Sequence, residues 1–343
     1  MRILVDKDIK YFKEIVSRLS CFKNIEFFYE NQKFINNKNL HSFDGVFIRS
    51  LTKVDSKLIS NTKLKLIGSA TSGIDHINKK ILNKKRIELI DGRGGNANSV
   101  VHYVMSAIAF LNKVDMFDIN KHSIGIMGYG NIGKQLKKTL DYFNINHFVY
   151  DPFLNFNFLS DIDSIKKCNL ISLHVPLTET GDYPTLNLIE RDFIKTMKAE
   201  ILINTSRGDV VSEDEIFKKK KLIYVSDVWK NEPIPNPTTI KKSFIATPHI
   251  AGHSIDGKFD TTKKLLINFL KYLNISKEEI HIANFSKKTK TKKNIRLIDY
   301  LIEYDIFSES EAFKSKVQNN KKINEKHFKN SRKNHLSRND IVI

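Results

Sequence analysis

Three side chains with complementary chemistry follow apolar runs. Arg207 comes after Ile201–Asn204, Glu232 after Leu222–Trp229, and His249 after the run that begins at Phe244. An imidazole exchanges protons near neutrality, because its unperturbed pKa is about 6.5. A carboxylate bonded to the other ring nitrogen would fix the tautomer and favour the imidazolium. A guanidinium fork matches a carboxylate in bidentate fashion and polarises the oxygen beside it. Together these groups suit removal of the O–H proton from a 2-hydroxy acid whose hydride passes to a nicotinamide. Singly, each has an ordinary role: a surface salt bridge for Arg207, a solvated loop acid for Glu232, a helix cap for His249. His174, near a Pro at another strand end, reads as structural or close to a cofactor.

The hydride acceptor has its own signature. Ile124–Met127 is a short apolar run that enters Gly128-x-Gly130-x-x-Gly133, and a helical pattern follows through Leu136 and Leu140. A second apolar run, His147–Tyr150, stops at Asp151, which lies 151 − 133 = 18 residues beyond the last glycine. That order is a dinucleotide-binding βαβ unit. Gly128, Gly130, Asn131, Ile132 and Gly133 form the candidate cofactor turn. The free N–H groups at the helix start face a diphosphate there. Asp151 stands where a ribose-binding carboxylate belongs. A carboxylate repels a 2′-phosphate, and no Arg follows in Pro152-Phe153, so the expected cofactor is NAD rather than NADP.

Two further strand ends carry polar clusters, Arg49-Ser50-Leu51-Thr52-Lys53 and Ala70-Thr71-Ser72-Gly73. Ligands of open α/β sheets bind outside such ends. Arg49 and Lys53 suit a phosphate, and Ser50 and Thr71 could donate to it. The same spacing equally suits helix N-caps.

These groups need a sheet to bring them together. Strand and helix patterns alternate from Arg2–Asp6 onward, and the predicted class is α/β with parallel sheets. The glycine-rich Asp91–Asn96 marks a crossing between two domains, followed by an apolar helix from about Ser99 to Leu111. Pro233, Pro235 and Pro237 predict a loop. The chain has 343 residues, 41% of them hydrophobic, which suffices for two or three domains. No apolar run reaches membrane-spanning length and the N-terminus has no signal-peptide layout, so a cytoplasmic location is expected. Two cysteines without a partner thiol or His at ligand spacing predict neither a disulfide framework nor a metal site. The net charge of +19 arises from lysines spread through the whole chain, so a dedicated nucleic-acid role is not expected.

Gly128-x-Gly130-x-x-Gly133, Asn204-x-x-Arg207-Gly208, Asp227-Val228-Trp229-x-x-Glu232-Pro233 and Thr247-Pro248-His249-Ile250-Ala251-Gly252 resemble the D-isomer-specific 2-hydroxyacid dehydrogenases. The resemblance implies that Arg207, Glu232 and His249 are the catalytic trio. It implies that Asp151, Asp227 and Gly252 contact NAD, and that Ser50 and Thr71 bind substrate. It also implies a doubly wound (Rossmann) NAD domain, 96–252, inserted in a smaller flavodoxin-like substrate (lid) domain, 1–95 and 253–284. A reduced C-terminal α+β dimerisation domain, 285–343, completes the expected homodimer. Within the family, Arg49–Val54, Ala70-Thr71-x-Gly73-x-Asp75-His76 and Gly257-Lys258 are similar to members acting on a small phosphorylated 2-hydroxy acid. Three positions depart from the pattern. Val175 replaces a Thr near NAD, His253 a substrate-contacting Tyr, and His102 a Glu. The alternatives are a sister D-2-hydroxyacid dehydrogenase and an NAD-sensing protein whose basic tail docks nucleic acid.

Overall fold

The computed structural model describes residues 1–275, 294–318 and 324–343. The basic run Lys287–Lys293, expected to open the C-terminal domain, lies outside the described residues. The chain divides into two units. One holds Met1–Asn96 and the described stretch 255–275. The other holds Ala97–Ser254 and the C-terminal part.

The first unit is built on a five-stranded parallel sheet in the order β2-β1-β3-β4-β5. Its strands are β1 (Arg2–Asp6), β2 (Glu26–Glu30), β3 (Gly45–Ile48), β4 (Leu66–Ser69) and β5 (Glu88–Asp91). β1, β3 and β4 are apolar and buried almost throughout, as strands covered on both faces must be. The helix Ile255–Tyr272 returns to this unit and places Phe259, Leu265, Leu266 and Phe269 in its core. β5 carried no clear pattern in the sequence. It is only half apolar, and its pairing with β4 gives it its conformation.

The second unit has a six-stranded parallel sheet in the order β11-β10-β9-β8-β6-β7. Here β6 is Ile124–Met127, β7 His147–Tyr150, β8 Leu170–Leu173, β9 Ile201–Asn204, β10 Ile223–Ser226 and β11 Ile245–Ala246. The chain reverses its winding between β6 and β8, so the crevice beyond their carboxyl ends is the topological switch point. Asn204 pairs with both Leu173 and Ser226, and Ser226 with Ala246, so β8 to β11 end at one level. Pro237 opens a helix, Pro237–Lys242, instead of extending the loop, because Asn236 accepts from the Thr238 N–H and proline is tolerated in the first turn.

The C-terminal part, expected as α+β, is helical among the described residues, at Leu297–Glu303, Ile306–Gln318 and Glu325–Lys333. Its apolar spacing is helical, and Tyr300, Leu301, Tyr304 and Ile306 enter the same core as the helix Ala97–Lys113. His102, the departure from the family's Glu, is fully buried there. Its Nε2 meets the Tyr300 carbonyl at 3.2 Å and its Nδ1 accepts from the Ile341 N–H at 3.2 Å. An imidazole can satisfy both groups, because one ring nitrogen donates while the other accepts.

Candidate active site

The cofactor turn is shaped by contacts that a side chain would forbid. Gly128 has φ +97°, and a Cβ there would meet the His174 carbonyl oxygen at 2.6 Å and Val175 Cγ1 at 3.2 Å. A Cβ on Gly133 would strike the Gly128 carbonyl, whereas one on Gly130 would meet no protein atom within 4 Å. The helix Asn131–Tyr142 that follows has no side-chain cap, so its first N–H groups stay open toward a ligand. Asn131 is exposed, and Ile132 leans on the core. Asp151 receives the Tyr129 N–H at 2.8 Å and the Phe153 N–H at 3.1 Å, so it braces the glycine turn from the end of β7. These residues fit a dinucleotide, whose diphosphate would lie at the helix start and whose ribose would face Asp151. Val175, beside Gly128, offers only apolar contact there.

His174 is structural. Its Nε2 lies 2.9 Å from Ser172 Oγ and its Nδ1 3.3 Å from Thr205 Oγ1, and burial pushes its pKa down to about 3. It stays neutral and links β8 to the end of β9.

Arg207 rides on a turn organised by the buried Asn204. Asn204 Oδ1 accepts from the Ser206 N–H (3.0 Å) and Oγ–H (2.8 Å), while its Nδ2 donates to the Arg207 carbonyl at 3.0 Å. Gly208 then lets this turn touch the backbone of Trp229 and Lys230, where any Cβ would collide. The Arg207 turn and the Glu232 loop are therefore packed backbone to backbone. Arg207 itself is half-buried, with Nη1 donating to the Ser206 carbonyl at 2.7 Å.

Glu232 accepts from the Trp229 N–H at 2.9 Å through Oε1 and from His249 Nδ1–H at 2.6 Å through Oε2. Burial alone would raise its pKa. The opposing charge and hydrogen bond of His249, helped by the Trp229 N–H and the Arg332 charge, bring it below the ordinary carboxylate value. With Nδ1 donating to Glu232, His249 Nε2 has no partner among the described residues.

The backbone of His249 has φ +58°, a strained conformation for a residue with a Cβ. Asp227, 1% exposed, holds it in place. Its Oδ1 accepts from Thr247 Oγ1 (2.6 Å) and the Ile250 N–H (2.7 Å), and its Oδ2 from the Ala251 N–H (2.8 Å). Burial raises the Asp227 pKa, and the nearby His249 charge and these donors counter it. The Trp229 indole N–H donates to the Thr247 carbonyl at 2.8 Å, and Tyr103 Oη lies 2.7 Å from Thr247 Oγ1. From the other side, the buried Arg338 donates through Nη2 to the Ile250 carbonyl at 3.1 Å and also to that of Ala251. Its guanidinium lies 4.3 Å from the centre of the Tyr304 ring. Asp227 thus secures the donors of the His249 turn and Arg338 its acceptors.

Gly252 and His253 continue this turn, and the His253 ring accepts from Arg332 Nη2 at 3.4 Å. Trp229 stood within the motif Asp227–Pro233, but the bracing roles of Tyr103 and Arg338 had no sequence signal. Arg338 in particular is one basic residue in a basic tail.

The substrate-unit residues have different surroundings. Arg49 Nε donates to Asp6 Oδ2 (2.9 Å), and Nη2 donates to Asp6 Oδ1 (3.1 Å) and Asp8 Oδ2 (2.9 Å). Its Nε and Nη2 are thus held by carboxylates in this unit. Ser50 and Lys53 are exposed. Thr71 Oγ1 donates to the Gly73 carbonyl at 2.7 Å and lies 2.6 Å from the buried Ser69 Oγ, which is 3.3 Å from His76 Nε2. Among the described residues no group of His, Cys, Asp and Glu is placed to hold a metal, and no helix is long and apolar enough to cross a membrane.

Residues 102–251 match the family described as D-isomer specific 2-hydroxyacid dehydrogenase, NAD binding domain. The erythronate-4-phosphate dehydrogenase of Wigglesworthia glossinidia brevipalpis is 35% identical over 83% of this chain and 76% of its own. That of Blochmanniella floridana is 31% identical over 92% and 88%. The chain belongs to the D-isomer specific 2-hydroxyacid dehydrogenase family. It is an NAD-dependent dehydrogenase of this family, and it is similar to the erythronate-4-phosphate dehydrogenases over most of its length. Among solved structures, an NAD-bound 3-phosphoglycerate dehydrogenase of Entamoeba histolytica superposes with a TM-score of 0.66 at 21% identity, covering 86% of this chain and 99% of that one. A D-isomer specific 2-hydroxyacid dehydrogenase from Lactobacillus delbrueckii ssp. bulgaricus, in its NAD complex, gives 0.64 at 19%, covering 80% and 98%. At such identities these neighbours support the fold.

Proposed function

We propose that this dehydrogenase oxidises 4-phospho-D-erythronate to 2-oxo-3-hydroxy-4-phosphobutanoate, a step of pyridoxine 5′-phosphate (vitamin B6) synthesis. The observation that carries the reading is the 2.6 Å contact between His249 Nδ1 and Glu232, which leaves Nε2 as the acceptor for the substrate's C2 hydroxyl proton. Glu232 then stabilises the imidazolium that forms, and Arg207 orients the substrate carboxylate and polarises the C2 oxygen. When bound, NAD supplies the acceptor for the hydride leaving C2. The strained His249 turn is held by buried groups on both sides, so the imidazole is oriented before substrate arrives.

The substrate assignment draws on the names of the relatives and on the cationic groups beside His249. Its test is reduction of NAD with 4-phospho-D-erythronate, run beside D-3-phosphoglycerate and repeated with Arg207→Ala. The wild type is expected to prefer the erythronate ester, and the variant to lose roughly 100-fold or more in kcat/KM. A preference for D-3-phosphoglycerate overturns the assignment. Homodimerisation and a cytoplasmic location belong to the same proposal, through the resemblance. A monomer in light scattering at micromolar concentration would count against the dimer.

A further inference from the structure

We propose that Arg332, delivered by the C-terminal helix Glu325–Lys333, forms with His253 the subsite that takes the substrate's distal phosphate, a role resting on the phosphorylated substrate proposed above. His253 lies four residues beyond His249 on the same turn, and Arg332 Nη2 is 3.4 Å from its Nε2. The His335 ring stands 5.7 Å from that of His253, centre to centre. One guanidinium and two imidazoles thus gather beside the Glu232–His249 pair, close enough for the Arg332 charge to act on Glu232.

The state of this guanidinium sets it apart from Arg49. Arg332 makes no ion pair at salt-bridge distance among the described residues, and its Nε is buried without a hydrogen-bond partner. A buried, unmatched donor is costly in a folded protein and needs a reason. A phosphate oxygen is a fitting partner, because guanidinium and phosphate match in geometry and charge. The reading of the reaction already assigns Arg207 to the carboxylate, and Arg49 is committed to Asp6 and Asp8. Arg332 is the cation that stands beside His253 on the same side as the Glu232–His249 pair, where the substrate's second anionic end can reach it.

The helix is also fixed firmly enough to define a subsite. Phe328 is buried in one cluster with Phe313 and Trp229, and Trp229 is the residue whose N–H holds Glu232. The helix and the Glu232 loop thus share one packed support.

The experiment compares full-length wild type, Arg332→Ala and Arg332→Lys with NAD, using 4-phospho-D-erythronate and unphosphorylated D-erythronate. Arg332→Ala is expected to lose roughly 10- to 100-fold more kcat/KM with the phosphorylated acid than with D-erythronate, mostly through KM. Arg332→Lys is expected to recover part of that loss. Inorganic phosphate should compete with D-erythronate in the wild type and lose at least tenfold in potency in Arg332→Ala. An equal loss with both acids, carried by kcat, would make Arg332 a positioning residue and overturn the proposal. So would unaltered phosphate competition. If the wild type turns over other D-2-hydroxy acids but not 4-phospho-D-erythronate, the substrate reading fails. Phosphate competition against whichever acid is used then still decides the subsite.

Discussion

Both units end their parallel strands in clusters of an arginine with hydroxyl or imidazole groups, yet the two arginines are used differently. In the substrate unit, Arg49 spends its fork on Asp6, a fully buried carboxylate, and on Asp8. In the NAD unit, the charge that needs burying is Asp227, and backbone N–H groups and the Thr247 hydroxyl satisfy it. No guanidinium is consumed there. Arg207 is positioned through its backbone, by Asn204 and Gly208, and Glu232 is turned toward the ring of His249. A buried acid paired with an arginine makes the fold depend on that arginine, because losing it leaves a buried charge unpaired. A buried acid satisfied by backbone donors can position a reactive turn without an arginine as its counter-ion.

The largest effect that would break this comparison is at His249. Substitution by Ala should lower kcat by roughly 10²- to 10⁴-fold, the usual weight of a general base, while NADH binding followed by fluorescence stays near the wild-type level. A variant retaining a substantial fraction of kcat would remove His249 from the reaction. Next comes Arg49→Ala, which leaves Asp6 buried beside no cation. With Arg49 itself 27% exposed, the expected loss is about 1–3 kcal/mol of stability, read as a lower Tm, and KM should change much less than in Arg207→Ala. A rise in KM as large as that of Arg207→Ala would return Arg49 to the substrate site.

The smallest effect concerns pH. The folded Glu232 carboxyl lies below its ordinary value, so its pairing with His249 stabilises the protein above the ordinary carboxylate range. That contribution is lost as pH falls through the depressed value. Glu232→Gln should flatten the acid limb of a Tm–pH profile, and an unaltered limb would mean that the pair adds nothing to stability.

The three side chains proposed to react and the glycine turn were legible because each depends on local order. A glycine turn after an apolar run, an acid at the next strand end, and charged residues after later strands all lie within short windows. Strand β5 and the helix beginning at Pro237 were not legible. The first depends on its neighbour in the sheet, and the second on the single cap at Asn236. Arg49 was legible as a cation at a strand end, but its carboxylate partners are more than forty residues away in the chain.

By itself, the sequence determined the α/β class, the glycine turn with Asp151 beyond the next strand, and which three side chains we propose to react. Those follow from residue type and spacing along one or two elements. Only the tertiary structure decided which groups hold His249 in its strained turn, which carboxylates Arg49 meets, and that the C-terminal helices reach the candidate site. Arg338 and Ala251 are 87 positions apart, and Arg332 and His253 are 79 apart. Contacts over such distances are set by packing and the burial of polar groups, which leave no periodic mark on the chain.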